Sequence, residues 1–194
     1  MSSETCEVFQ SSASGKEEGI PARRAWAQLN PMSLGLFGIE LLASGIPPFV
    51  LSRVRTQALR LAGVQIGHAS AFWGHPILVG TGDISGRLKV GSHCGFNAGC
   101  FFELEQSVTI GDHVSVGHRV MFLTQSHVKL DASSNSIEIC DGAWLGARCT
   151  IMPGVTVGAG TVVAAGVIVR ESLPEDVLFT GTRKIPIGRW RTKR

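Results

Sequence analysis

The sequence contains no tyrosine, few charged residues and no long uninterrupted apolar run, and each of these absences narrows the classes of protein to consider. Charged residues make up 17% of the 194 residues and the formal net charge is only +3, which argues against nucleic acid as a partner. The apolar stretch from Met32 to Leu51 is interrupted by Glu40 and by Pro47-Pro48, so it does not predict a membrane-spanning helix. With 44% apolar residues, the chain is long enough for one folded domain with a core.

Cysteine is present, but in a pattern that does not indicate a disulfide framework. The five cysteines include no Cys-x-x-Cys pair, and the first twenty residues are polar and of mixed charge, unlike a secretory leader. We therefore expect reduced thiols and a cytoplasmic protein. Cys94, Cys100 and Cys149 fall at the small inward positions of a repeat described below, which favours core packing over nucleophilic chemistry.

The first 63 residues lack the repeat that follows. We expect residues 1–20 to be disordered and residues 21–63 to form short helices, split at Gly45-Ile46-Pro47, that pack on the end of the main domain. Contact of these helices with a membrane surface is a second interpretation, but not the expected one. The second helix, near Phe49 to Ala62, has its larger apolar residues on one face: Leu51, Val54, Ala58 and Leu61.

A six-residue repeat dominates the rest of the chain and decides the fold class. An aliphatic residue returns at every sixth position from Ile139 to Val169, and the same spacing runs from Ile66 to Phe102. The spacing then shifts by two residues within Phe102-Glu103-Leu104-Glu105, which predicts a bulge or a widened corner. A period of six fits a short strand followed by a turn, and three such units close a triangular coil of about 18 residues. We predict an all-β fold, a parallel β-helix over residues 64–170.

The repeat stops between Phe122 and Ile139, where a polar segment predicts a loop near residues 124–138 that protrudes from the coil. Loops on a rigid scaffold commonly carry function, and His127 lies in this one. Residues 171–194 form a C-terminal extension after the coil. Its basic residues predict either a solvated tail or an anion-binding rim: Arg183, Lys184, Arg189, Arg191, Lys193 and Arg194.

Three stretches of the repeat region carry a resemblance to a known family: Phe96–Cys100, Val108–His127 and Ala143–Gly166. They are similar to stretches of the hexapeptide-repeat acetyltransferases, particularly the sugar O-acetyltransferase branch with its galactoside, maltose, nodulation and colanic-acid enzymes. The resemblance covers roughly residues 47–187. It implies a left-handed coil, an exception to the usual right-handed crossover. It also implies a homotrimer with active sites between subunits, and acetyl-CoA as the acyl donor.

The same resemblance implies roles for individual residues. His127 matches the catalytic histidine of the family, and an imidazole titrates near neutrality, which suits it to accept the proton of an attacking hydroxyl. Asn97 matches an asparagine that orients the acceptor hydroxyl or binds the acyl oxygen. Glu105 aligns with an acidic position that contacts the acceptor. On the donor side, the resemblance implies contacts with acetyl-CoA from Trp144, Ala147, Ala165, Arg170, Arg183 and Lys184.

We therefore predict an O-acetyltransferase that moves an acetyl group from acetyl-CoA to a hydroxyl of a sugar or of a glycan or polysaccharide precursor, without a metal cofactor. The main alternative is an acetyltransferase for an antibiotic or another small hydroxyl or amino acceptor. A zinc protein like the γ-class carbonic anhydrases is a weaker alternative. A non-catalytic scaffold is another, because fold alone does not fix function. The zinc interpretation uses His113 and His118 with His75 upstream, or His75, His93 and His113, which recur at spacings of 18 and 20.

Overall fold

The computed structural model describes residues 51–125 and 135–187. One helix, α1, is followed by seventeen short strands. Helix α1 spans Ser52–Leu61. The strands are β1 Gln65–Ile66, β2 Ala71–Phe72, β3 Ile77–Val79, β4 Leu88–Val90, β5 Gly95–Phe96, β6 Phe101–Glu103, β7 Val108–Ile110, β8 Ser115–Val116, β9 Met121–Phe122, β10 Ile137–Ile139, β11 Trp144–Leu145, β12 Thr150–Ile151, β13 Thr156–Val157, β14 Val162–Val163, β15 Ile168–Val169, β16 Val177–Phe179 and β17 Lys184–Pro186.

The strands stack into three sheets that form the three faces of a coil. Sheet A has the order β1-β4-β7-β10-β13, and sheet C has the order β3-β6-β9-β12-β15. Sheet B has the order β2-β5-β8-β11-β14-β16-β17, and all the strand pairs are parallel except β16 with β17. Because every third strand in sequence is a neighbour in space, the chain winds as a parallel β-helix, and the predicted fold class is confirmed.

The strand register gives the length of each coil. A residue on one face pairs with its equivalent one coil later, so the difference in residue number is the length of that coil. Successive coils advance by 24 residues (Gln65 to Lys89), 20 (Leu88 to Val108), 29 (Val108 to Ile137), 18 (Glu138 to Thr156) and 16 (Val162 to Leu178).

Two of these lengths agree with the spacing of the sequence repeat, and one does not. The second coil has the two extra residues predicted by the shift near Leu104, and the third coil contains the predicted break in the repeat. The first coil differs, because the six residues around Ile84 form a turn between β3 and β4 instead of a strand. Ile84 is nevertheless buried. An insertion of six residues therefore leaves the inward pattern intact.

Helix α1 packs on the open end of the first coil through polar contacts. A coil end presents strand edges whose backbone groups have no neighbouring strand. Arg55 Nη1 donates to the carbonyl of Phe72 at 3.3 Å, and the Phe72 N–H donates to Thr56 Oγ1 at 3.2 Å. The Arg60 guanidinium donates to two further carbonyls of the first coil, at 3.1 and 2.7 Å. These side chains satisfy an edge that would otherwise lack hydrogen bonds.

The face of α1 that carries the larger apolar residues does not make this contact. Leu51, Val54 and Leu61 are exposed, Leu61 by 85%, whereas Arg55, Thr56 and Leu59 are buried. The amphipathic pattern therefore does not identify the packed face, because the surface that the helix covers is a polar strand edge. Within the described residues, no helix is long and apolar enough to cross a membrane.

Stacked aromatic rings fill the first three coils. The rings of Phe72 and Phe96 are parallel, with centroids 4.3 Å apart, and those of Phe102 and Phe122 are 4.6 Å apart. All four side chains are buried. Each inward residue thus packs on its equivalent in the next coil, and the stack holds the turns between the strands in register.

The substitution Phe96→Ala tests this stack. Phe96 contacts Phe72 on one side and Phe102 on the other, so its loss should lower the free energy of unfolding by about 3–5 kcal/mol. Phe96→Leu keeps most of the volume and should cost less. Urea denaturation followed by circular dichroism measures both variants, with Thr109→Ala on the exposed face of sheet A as the control. A loss for Phe96→Ala no larger than that of the control would contradict the stack as a source of stability.

Three cysteines belong to the same core. Cys94, Cys100 and Cys149 are buried, and burial raises the pKa of the Cys94 thiol, that of Cys100 to about 11 and that of Cys149 to about 12. Because the thiolate is the nucleophilic form of cysteine, these thiols are poorly reactive at neutral pH. The interpretation of these residues as core is confirmed.

Candidate functional site

Asn97 lies in a row of five turns that connect sheet B to sheet C, which we call the BC corner. The turns are residues 73–76, 97–100, 117–120, 146–149 and 164–167. Equivalent positions of successive turns form columns along the corner. One column is Trp73, Asn97, Gly117, Gly146 and Ala164, and the next is Gly74, Ala98, His118, Ala147 and Ala165.

The side chain of Asn97 is half-buried and oriented by one backbone carbonyl. The Asn97 N–H donates to Val116 O at 3.0 Å, and Asn97 Nδ2 donates to the same oxygen at 3.3 Å. Within the described residues, Asn97 Oδ1 accepts no hydrogen bond. The amide is thus held in place by the next coil while its oxygen and one amide hydrogen remain available to a ligand.

Ala147 and Ala165 offer backbone donors further along the same corner. The carbonyl of Ala147 accepts from Gly166 N at 2.8 Å, but neither alanine N–H donates to a backbone carbonyl in the described part of the chain. Gly166 has open space where a side chain would be. The later turns of the BC corner therefore form a shallow surface of small residues with two available N–H groups.

Two exposed tryptophans border the corner on the sheet B side. Trp144 lies on β11 and is 50% exposed, and Trp73 lies in the first turn and is 39% exposed. Ring carbons of Trp73 are 3.1 to 3.7 Å from the position that a Cβ on Gly95 would take, so the indole lies against a strand that has no side chain there. Sequence reasoning missed Trp73, because its place one coil before Asn97 depends on the 24-residue length of the first coil.

The loop that carries His127 leaves the coil at a different corner, the CA corner, where sheet C is followed by sheet A of the next coil. The last described residues before the loop are fastened there. Thr124 Oγ1 donates to Glu103 O at 2.7 Å and accepts from Gln106 N at 3.0 Å, and Gln125 N donates to Glu103 Oε2 at 3.0 Å. His127 itself lies outside the described residues, within 126–134.

Glu105 lies at the CA corner as well. Its carboxylate accepts from Thr81 N at 2.9 Å and from Thr81 Oγ1 at 2.6 Å, so a turn of the previous coil fixes its orientation. Strand β6 separates Glu105 from Asn97. The described part of one chain therefore brings Asn97, Trp144, Ala147 and Ala165 to one corner, and Glu105 and the stem of the loop to the next.

The cationic residues predicted on the donor side lie at the end of the coil. Arg170 is exposed and directly follows β15, while Arg183 and Lys184 belong to the hairpin of β16 and β17. Lys184 Nζ forms an ion pair with Glu171 Oε1 at 3.0 Å, which brings the hairpin back beside Arg170. Arg170 and Ala165 lie at opposite ends of β15.

The strand register alters the histidine arrangement on which the zinc interpretation rested. His93 and His113 are equivalent, and their rings stack with centroids 4.9 Å apart. The 24-residue first coil places His75 opposite Gly99 at the BC corner, so the predicted equivalence of His75 with His93 is wrong. The residue beside His93 is His68, at 5.4 Å. Within the described residues, no group of three or more His, Cys, Asp or Glu side chains is arranged to hold a metal ion.

Comparison with known sequences identifies the repeat. The bacterial transferase hexapeptide pattern (six repeats) matches residues 136–171. The galactoside O-acetyltransferase of Escherichia coli K12 is 33% identical over 100 residues, which cover 46% of this chain and 49% of the relative. The match thus spans about half the length of that relative, and the same holds for an acetyltransferase-like protein of Schizosaccharomyces pombe, of which 47% is covered.

Solved structures agree on the fold. A hexapeptide-repeat acetyltransferase of Vibrio cholerae, solved with acetyl coenzyme A, is 27% identical with a TM-score of 0.63, covering 77% of this chain and 82% of that chain. A galactoside acetyltransferase in complex with coenzyme A superposes with a TM-score of 0.67 at 22% identity, covering 81% of this chain and 82% of that one, which is a likeness of fold alone.

One sequence relative matches over most of its length. The protein assigned as colanic acid biosynthesis acetyltransferase WcaF of Escherichia coli K12 is 30% identical over 144 residues, which cover 72% of this chain and 77% of that protein. This match extends well beyond the six repeats of the family pattern. With this coverage, the matched repeats and the observed coil, the chain belongs to the hexapeptide-repeat acetyltransferase family.

Proposed function

We propose that this protein is an O-acetyltransferase that moves an acetyl group from acetyl-CoA to a hydroxyl of a sugar or of a glycan precursor. The observation that carries the proposal is the BC corner, where an oriented amide, two available backbone N–H groups and an exposed indole follow one another along the coil. The relatives named as galactoside and colanic acid acetyltransferases favour a saccharide acceptor.

The later turns of the corner suit the pantetheine arm of the donor. This arm is narrow and carries two amide groups, whose carbonyls the N–H groups of Ala147 and Ala165 would bind. The small side chains and Gly166 leave room for it, and the exposed indole of Trp144 offers an apolar wall. Arg170, Arg183 and Lys184 lie at the end of the coil, where cations would meet the phosphates of CoA.

The chemistry needs a base and a group that stabilises the developing charge. The acceptor hydroxyl attacks the thioester carbonyl as the imidazole of His127 takes its proton, which forms the new carbon–oxygen bond and a tetrahedral oxyanion. Collapse of this intermediate breaks the carbon–sulfur bond, and the CoA thiolate leaves and recovers the proton. The amide of Asn97 orients the hydroxyl or donates to the oxyanion, and Glu105 contacts the acceptor.

A homotrimer would bring the two halves of this site together. The stem of the His127 loop and Asn97 lie at different corners of one coil, and sheet C is the face between these corners. If three copies turn sheet C toward a common axis, the CA corner of each protomer lies beside the BC corner of the next. Each groove between protomers then has a His127 loop on one side and the donor surface on the other.

The character of the outer faces supports this orientation. The outward side chains of sheet C include exposed Ile77, Met121 and Ile168 and partly exposed Phe101, an apolar row that favours burial in an interface. The outward row of sheet A is polar: Gln65, Lys89, Thr109, Glu138 and Thr156.

Binding and turnover of acetyl-CoA test the proposed function. Calorimetry should detect binding of acetyl-CoA to the full chain, and a thiol reagent should report CoA release that depends on an added saccharide. The panel should include galactosides, maltooligosaccharides, uronic acids and sugar phosphates, with chloramphenicol and an aminoglycoside as the antibiotic arm. Release with an antibiotic alone would favour the alternative acceptor class. Absence of acetyl-CoA binding would contradict the proposal as a whole.

A further inference from the structure

Charge is segregated between the corners of the coil. The AB corner links sheet A to sheet B through residues 67–70, 91–94, 111–114, 140–143, 158–161 and 174–176. These described turns contain four acidic residues and no arginine or lysine, whereas the five turns of the BC corner contain two arginines and no acidic residue. The acidic residues of the AB corner are Asp112, Asp141, Glu175 and Asp176, and the arginines of the BC corner are Arg119 and Arg148.

The two arginines are neighbours in one column. Arg119 and Arg148 occupy equivalent places in successive coils, so their backbones are about one strand spacing, 4.8 Å, apart. Both are exposed, and neither forms an ion pair within the described part of the chain. Two cations this close repel each other unless an anion lies between them.

The backbone at these positions favours glycine. Arg119 and Arg148 have φ of 55° and 60°, and the same column holds Gly99 and Gly166 with φ of 77° and 73°. A side chain in this left-handed region carries a conformational cost that glycine avoids. The arginines therefore supply something at this corner that the backbone alone does not require.

Arg119 extends toward the turn of Asn97. Its Cγ lies 3.1 Å, and its Nε 4.0 Å, from the position that a Cβ on Gly99 would take. The side chain therefore passes over the turn 97–100, two residues from Asn97, and Trp73 lies one coil further in the same direction. An exposed indole, an oriented amide and a pair of guanidinium groups follow one another along the corner.

We propose that Arg119 and Arg148 bind an anionic group of the acceptor, so that the acceptor is a sugar carrying a carboxylate or a phosphate. This inference rests on the proposed function. Guanidinium groups bind carboxylate and phosphate oxygens through paired, charge-assisted hydrogen bonds. The indole of Trp73 lies about two strand spacings, roughly 10 Å, from the Arg119 turn, and it offers an apolar face to the sugar ring.

The phosphates of the donor suit this position less well. The thioester must lie beside Asn97 for transfer to occur, and the whole pantetheine arm separates the thioester from the CoA phosphates. The pair of guanidinium groups begins two residues from Asn97, at the reacting end of the donor. Cations at the end of the coil, Arg170 and Lys184, are better placed for the phosphates.

Equilibrium binding of matched saccharides tests the inference. The full chain, saturated with CoA, is titrated with methyl galactoside, methyl galacturonide and galactose 1-phosphate, and dissociation constants are measured by calorimetry or ligand-observed NMR. One of the anionic probes should bind about tenfold more tightly than the neutral sugar. Arg119→Gln and Arg148→Gln should each remove most of that preference, while Arg119→Lys keeps part of it. The tighter of the two anionic probes identifies the group as carboxylate or phosphate.

Lys89→Gln is the matched control, because it removes one positive charge from the outer face of sheet A. It should leave the preference unchanged. Equal binding of the neutral and anionic probes, or no binding of either anionic probe, would overturn the inference. A loss of acetyl-CoA affinity in Arg119→Gln would also overturn it, because the arginines would then hold the donor. Failure of the proposed function is distinguishable, since the unsubstituted chain would then not bind acetyl-CoA at all.

Discussion

The substitution His127→Ala is expected to lower kcat by about 10²–10⁴-fold, because the acceptor hydroxyl would lose the base that takes its proton. The KM for acetyl-CoA should change little, since the proposed donor contacts come from Ala147, Ala165 and Trp144. The measurement is the rate of CoA thiol release with the best acceptor of the panel. Circular dichroism and thermal unfolding establish that the variant is folded.

His113→Ala is the matched control for this prediction. His113 is an exposed histidine at the AB corner, stacked on His93 and away from both sides of the proposed groove. Its replacement should leave turnover unchanged. If His127→Ala is folded and as active as the unsubstituted protein, the general-base role is wrong. If His113→Ala loses as much activity as His127→Ala, the loss does not report on the base.

The second large effect is expected from Met121→Glu. Met121 lies in the apolar outer row of sheet C, and a carboxylate there would be buried near its own copies in a trimer. We expect the trimer to dissociate, and activity to fall by about 100-fold or more, because each monomer keeps only one side of every groove. Light scattering after size-exclusion chromatography measures the mass, and the thiol assay measures the activity.

Thr109→Glu is the control for the interface, because Thr109 is exposed on the outer face of sheet A. It introduces the same charge and should leave the trimer intact. A Met121→Glu variant that stays trimeric and active would show that sheet C does not face the threefold axis. A monomeric unsubstituted protein with full activity would contradict the shared site altogether.

The fold could be predicted from the sequence because the core of a β-helix repeats along the chain. Each inward residue packs on its equivalent in the next coil, so the stacking of Phe72 on Phe96 appears in the sequence as a fixed spacing. The same property hides the length of the coils. A turn of six residues around Ile84 preserves the spacing as well as a strand does, and the misplacement of His75 followed from this ambiguity.

The packed face of α1 could not be predicted for a different reason. The amphipathic pattern assumes that an apolar face meets an apolar core, but the end of a coil presents unpaired backbone groups. Arg55 and Thr56 are therefore the buried side chains, and Leu61 is exposed. Contacts of this kind depend on which strand edge lies at the coil end, which a periodic pattern does not encode.

The candidate site was predicted in part. Motif resemblance found Asn97, Ala147 and Ala165, and the structure gathers them at one corner. Trp73, Arg119 and Arg148 lie at the same corner, but they are separated in sequence by coils of 24, 20 and 29 residues. Only the register reveals that they are neighbours, because unequal coils break the simple count of 18.

Transfer of isotopically labelled acetyl from acetyl-CoA to a saccharide, followed by mass spectrometry of the product, tests the central claim most directly. The reaction is run with the unsubstituted protein and with His127→Ala on the same acceptor panel. The unsubstituted protein should place the label on a saccharide hydroxyl as an ester that mild base removes, and His127→Ala should form little of it. Binding of acetyl-CoA without any labelled saccharide, or a label found only on an amine, would contradict an O-acetyltransferase that acts on sugars.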